Sequence, residues 1–120
     1  LVLPTNWPPG AETFAQYLPN ARALENNVYY VSCDRVGTER GFRFIGQSRI
    51  CDTSGVTMVE AAHTDPAILV ADIDPARARN KRAVRVPRLH VIDRLADRRP
   101  QFYGPIIEPH QLVRSIDDGP

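Results

Sequence analysis

Thiols, imidazoles and carboxylates are the groups through which this chain could do covalent chemistry, and their spacing restricts what that chemistry can be. Cys33 and Cys51 are the two cysteines, each inside an apolar, strand-like stretch. A thiol becomes a nucleophile only when a base, a cation or a helix N-terminus stabilises its anion. Cys51 is followed by Asp52-Thr53-Ser54-Gly55, a turn and not an elbow into a helix, and buried free cysteine packs as a small hydrophobe. Cys33 reads the same way. The three histidines, His63, His90 and His110, lie far apart and lack a Cys or His partner at zinc-ligand spacing, so no residue is assigned to a metal. Ser48 sits in no Gly-x-Ser-x-Gly context, and no glycine-rich phosphate loop occurs. Glu25 falls at a helix end, three positions after Arg22, and reads as an ion-pair partner. No catalytic residue is assigned within the chain.

The bulk properties exclude several function classes. Lys and Arg total 15 against 14 Asp and Glu, a net charge of +1, which gives no field to recruit nucleic acid or an anionic membrane. Arg77, Arg79, Lys81, Arg82, Arg85 and Arg88 form one basic run, but no aromatic platform interleaves it, so it reads as a solvated face or interface rim. No apolar run approaches the roughly 20 residues of a membrane span, and no signal-peptide pattern is present. Two cysteines are too few for a secreted disulfide framework, so both are read as reduced and the chain as cytoplasmic.

The elements that would position any site follow from periodicity. Leu1–Leu3 reads as the end of a buried strand, and Pro4–Gly10 as a loop. Phe14, Tyr17, Leu18, Ala21 and Leu24 recur at helical spacing, predicting a helix from Glu12 to Asn26 or Asn27 that packs this stripe on a sheet, with a kink or break at Pro19. Val28–Cys33 predicts a strand, Arg35–Gly41 a polar turn, and Phe44–Cys51 a strand that Asp52–Gly55 turns back into Val56–Ala61 as a hairpin. Ala67–Ile73 reads as a strand covered on both faces, and Asp74-Pro75 as the cap and first position of a helix to about Arg82. Beyond Val84 the prolines at 87, 100, 105, 109 and 120 leave an extended segment unable to form its own core.

The order of Leu1-Val2-Leu3-Pro4, Asn6-Trp7-Pro8, Asn20 through Val31, Phe44 through Ile50 and Asp52-Thr53-Ser54-Gly55 resembles the second half of a nitrilase-superfamily carbon–nitrogen hydrolase. The start within a strand-like run at Leu1 is what a fragment would show. The resemblance implies an α+β fold, a partial four-layer α-β-β-α sandwich. Residues 1–83 would be the C-terminal half of the hydrolase domain, and 84–120 an extended arm at a homo-oligomer interface. It implies hydrolysis of a non-peptide C–N bond in an amide, N-carbamoyl compound or nitrile. A cysteine would attack, a glutamate move protons and a lysine stabilise the oxyanion, all three upstream of Leu1, with no cofactor. This chain alone would be inactive. If its 120 residues are the whole product, the alternative is a non-catalytic interaction module.

By the same resemblance the loop after the first strand lines the pocket, which makes Asn6 and Trp7 the candidate substrate-binding residues. The alternative is that Asn6 stabilises the turn and Trp7 covers core. The sequence departs from the family pattern at Asp34, where asparagine is usual, and at Thr53, where proline is usual. The turn survives the second change because Gly55 can adopt positive φ.

Overall fold

The computed structural model describes residues 1–61 and 64–109. His63 and His110 lie outside them, as does Ala62. Four strands form the main sheet in the order β1-β2-β5-β6: β1 (Val2–Thr5), β2 (Tyr30–Asp34), β5 (Arg49–Cys51) and β6 (Thr57–Glu60). β1 and β2 are parallel, with Thr5 opposite Asp34, and the other pairings are antiparallel. Leu1 and Thr5 give their carbonyls to Val31 and Arg35 of β2. Odd-numbered residues of β1 therefore face the ladder, and Pro4 turns its missing N–H to the free edge.

Helix α1 (Glu12–Asn26) covers one face of this sheet and runs as one element through Pro19. Its buried residues are Ala15, Pro19 and Ala23, while Phe14, Tyr17 and Leu24 are exposed. The predicted helix is present, but the predicted stripe points away from the sheet. Small side chains let the helix sit close, and Ala23 joins Tyr30, Cys51 and Leu3 in the core. The open face carries a row in register across all four strands, Val2, Val31, Ile50 and Val59.

One network bolts α1 to the β5–β6 hairpin. Asn20 donates from Nδ2 to the Gly55 carbonyl (2.9 Å) and Thr57 Oγ1 (2.8 Å), and its Oδ1 accepts from Arg49 (3.1 Å). Arg49 is buried, also donates to the Gln16 carbonyl and pairs with Glu60 across the strands. The predicted turn at Asp52–Gly55 holds, with Asp52 accepting the N–H groups of Ser54 and Val56 and Gly55 at φ +77°.

Four other expectations need correction. Arg35–Gly41 is no simple turn: β3 (Val36–Glu39) pairs with β4 (Phe42–Ile45) as a hairpin of its own. The strand expected over Phe44–Cys51 is broken into β4 and β5, because Gly46 and Gln47 both take positive φ. Ala67–Ile73 forms no strand and is largely uncovered, Ile68 being 93% exposed. Helix α2 (Pro75–Arg79) starts as predicted, capped by Asp74, but stops at Asn80 in extended backbone.

The segment beyond Val84 also has structure. β7 (Arg82–Val86) and β8 (His90–Asp93) form a hairpin, followed by α3 (Gly104–Ile107). Lys81 and Arg94 tie this hairpin to the exposed C-terminal carbonyls of α1, Lys81 to Asn26 and Asn27 and Arg94 to Leu24 and Glu25.

Candidate functional site

In sheets with parallel strands, ligands collect beyond the carboxyl ends, where loops diverge. Here those ends are Thr5 and Asp34, the last residues of β1 and β2. They open a notch of about 300 Å³ lined by Pro4, Thr5, Asn6, Cys33, Asp34 and Arg35. Asn6 is exposed on its rim, and its side chain makes no hydrogen bond to another described residue.

Trp7 contributes through its backbone. Its N–H donates to Asp34 Oδ1 at 2.8 Å, and its carbonyl accepts from the Ile45 N–H at 3.0 Å. The indole is half-buried and does not line the notch. The loop that holds the two predicted substrate-binding residues is thus fixed by Asp34 and by the base of the β3–β4 hairpin, without help from Asn6.

Asp34 is the residue whose role the sequence reading left open. Its side chain is buried, with Oδ1 occupied by Trp7 and Oδ2 without a hydrogen-bond partner among the described residues. Burial raises its carboxyl above the ordinary carboxylate value, and the nearby backbone N–H groups of Trp7, Arg35 and Gly46 oppose that rise. Ser48 fixes its backbone, accepting the Asp34 N–H and donating back to its carbonyl. The sequence signal for this cluster was a carboxylate ending an apolar strand, followed by a glycine-containing segment.

Neither cysteine is set up as a nucleophile. Cys51 is fully buried in β5, and desolvation raises its thiol above the usual value. Cys33 is exposed on the sheet face away from α1, opposite Pro4, and as the strand neighbour of Asp34 it points to the other side. Both are free thiols. Among the described residues no cluster of His, Cys, Asp and Glu could hold a metal, and no helix is long and apolar enough to cross a membrane. Arg22 and Glu25 form the expected ion pair at 2.8 Å on an exposed helix face.

Comparison with known proteins gives this arrangement a context. The family model described as carbon-nitrogen hydrolase matches residues 7–83. A nitrilase of Pyrococcus abyssi is 43% identical over 90 residues, covering 72% of this chain and 32% of that protein. A deaminated glutathione amidase of Escherichia coli is 41% identical over 85 residues, covering 69% of this chain and 30% of that protein. Among solved structures, a mutant of the Nesterenkonia AN1 amidase superposes with a TM-score of 0.57 at 27% identity, over 64% of this chain and 29% of that one. A carbon-nitrogen hydrolase from Helicobacter pylori shares the fold with a TM-score of 0.65 at 21% identity, over 88% of this chain and 39% of that one. The chain spans about a third of the length of these curated relatives.

Proposed function

Because this chain belongs to the carbon–nitrogen hydrolase family, in the nitrilase superfamily, we propose that it forms the C-terminal part of an enzyme that hydrolyses a non-peptide C–N bond. The bond is that of a small amide, the chemistry named in the amidase relatives, with N-carbamoyl compounds and nitriles as the neighbouring substrate classes. The observation that carries the reading is the notch at the carboxyl ends of β1 and β2, which offers Asn6 and Asp34 but no activated thiol. The chain supplies a pocket wall. The attacking cysteine, the proton-transferring glutamate and the oxyanion-stabilising lysine come from sequence preceding Leu1. Attack forms a tetrahedral intermediate, the amine leaves with a proton from the glutamate, and water then cleaves the thioester to release the acid.

Two features support placing the chain in a four-layer sandwich that assembles as a homo-oligomer. The helix and sheet form one α and one β layer, and the row Val2, Val31, Ile50 and Val59 is the surface a second sheet would cover. Exposed Leu89, Phe102, Ile106 and Ile107 in the C-terminal segment suit a homo-oligomer contact. Asn6, whose side chain makes no hydrogen bond to another described residue, is the group that orients the amide, with the Trp7 backbone holding the loop.

The test is ammonia release from a panel of amides, carbamoyl amines and nitriles by the gene product that includes the preceding sequence. Activity should vanish when the upstream cysteine is replaced and persist in Cys51→Ala, which should cost only about 1 kcal/mol of stability. Asn6→Ala should lower kcat/KM with little change in Tm. Turnover by the 120-residue chain alone that disappears in Cys51→Ala would overturn the reading.

A further inference from the structure

Gln47 adopts a backbone conformation in which a side chain is a burden. Its φ is +60°, in the left-handed region, directly after Gly46 at +69°. The other three left-handed residues that are not glycine have a local reason for it. Asn27 ends α1, Arg40 shares a two-residue hairpin turn with Gly41, and Arg88 sits in the loop between β7 and β8. Gln47 belongs to no cap or hairpin turn. It lies where the chain passes from β4 to β5, and a second glycine there would follow the same path without strain. A left-handed side chain kept where glycine would serve marks a residue held for contact with something else.

The carboxamide is open to that contact. Gln47 is half-buried, its side chain makes no hydrogen bond to another described residue, and its amide atoms are not among the buried, unpartnered ones. It lines a cavity of about 310 Å³ together with Cys33, Asp34 and Arg35, three residues that also line the Asn6 notch. The two depressions therefore meet over the carboxyl end of β2, with Asn6 lining one and Gln47 the other. A carboxamide offers two N–H donors and an acceptor. An anion would leave the Gln47 oxygen unanswered and face exposed Asp65 in the same lining, while Arg35 is taken up by Glu39. An ammonium would leave the Gln47 N–H groups unanswered. A second carboxamide answers both.

Resting on the hydrolase reading above, we propose that Gln47 is a specificity-determining residue that selects small amides whose acyl chain ends in a second carboxamide. Gln47 hydrogen-bonds that far end while Asn6 orients the amide to be cleaved. The ligand lies across Cys33, Asp34 and Arg35, the lining that the two depressions share.

The experiment compares glutaramide with hexanamide, which carries an ethyl group in place of the second carboxamide. Binding to the 120-residue chain is followed by heteronuclear NMR at the side-chain amides of Asn6 and Gln47. Glutaramide should move both signals and bind about fivefold more tightly than hexanamide, the ratio expected for one net hydrogen bond. In Gln47→Leu that ratio should fall to about one. Gln47→Gly should lose the preference too, yet keep a Tm no lower than the parent's, which separates a binding role from a structural one. Equal affinities in the parent chain, failure of both to bind, a preference that survives in Gln47→Leu, or a Tm well below the parent's in Gln47→Gly each overturns the proposal. The parent-chain comparison decides even if Gln47→Leu does not fold. In the longer gene product, equal hydrolysis of both amides sinks this inference and leaves the hydrolase reading standing. Hydrolysis of neither sinks the hydrolase reading, while the binding ratio still decides whether Gln47 selects the second carboxamide.

Discussion

Gly55 has no room for a side chain. An added Cβ would lie 2.8 Å from the Asn20 carbonyl oxygen and 2.9 Å from Leu24 Cβ, at a φ of +77°. Backbone oxygen cannot swing aside, and the Asn20 network depends on this approach. Gly55→Ala should therefore lose at least about 2 kcal/mol, from positive φ and overpacking together, seen as a lower Tm. An unchanged Tm would show that the hairpin can move off α1. Asp34 makes a prediction of opposite flavour. Its folded carboxyl is raised from 3.8 by burial, so just above that pH the folded chain holds a proton that the unfolded chain has released. Its contribution to stability falls as pH rises through the interval between the two values. Asp93, lowered by the N–H groups of Ala96 and Leu95, acts the other way and loses its contribution as pH falls. Asp34→Asn removes only the first effect. The Tm of the variant relative to the parent should thus shift in the variant's favour as pH rises above 3.8. Parallel curves over that interval would refute a raised Asp34.

Elements owe their placement to partners that periodicity does not identify. Helix α1 was legible from its spacing and its Asn26-Asn27 end, where Asn27 does take the left-handed conformation. Which side it buries was not legible, because Phe14, Tyr17 and Leu18 outweigh Ala15, Pro19 and Ala23 in hydrophobicity while the small residues win on closeness. The Asp52 turn and the Asp74-Pro75 cap were readable because side-chain geometry fixes them locally. Ala67–Ile73 misled because an apolar run states a wish for burial and not a partner. Of the site, the Asn6-Trp7 loop was visible from its prolines, whereas the Asp34–Trp7 bond joins residues distant in sequence and was invisible. The β7–β8 hairpin was missed for the same reason: its anchors, Lys81 and Arg94, reach carbonyls on α1. Lys81→Ala and Arg94→Ala should each speed amide exchange in the hairpin by about fivefold, which corresponds to ~1 kcal/mol for a cation at a helix C-terminus. Exchange rates unaltered in both variants would mean that strand pairing alone holds it.

Across the whole molecule, the radius of gyration is 18.5 Å, against about 14 Å for a compact domain of this length. One axis measures only 19 Å. Such a slab cannot enclose its sheet: α1 shields one face, and the aliphatic row on the other stays accessible. An accessible aliphatic sheet face bounded by unpaired strands is the geometry from which fibrillar aggregates grow. The proline in β1 bears on that hazard. An incoming strand would need the backbone donor at position 4, and Pro4 has none, so a ladder begun at Val2 has to lapse within two residues. Pro4 then acts as a guard against runaway polymerisation while the apolar surface is uncovered. Pro4→Val should leave the β1–β2 pairing intact and shorten the lag before thioflavin-positive fibrils appear. An unaltered lag would show that the free edge of β1 is not where growth starts.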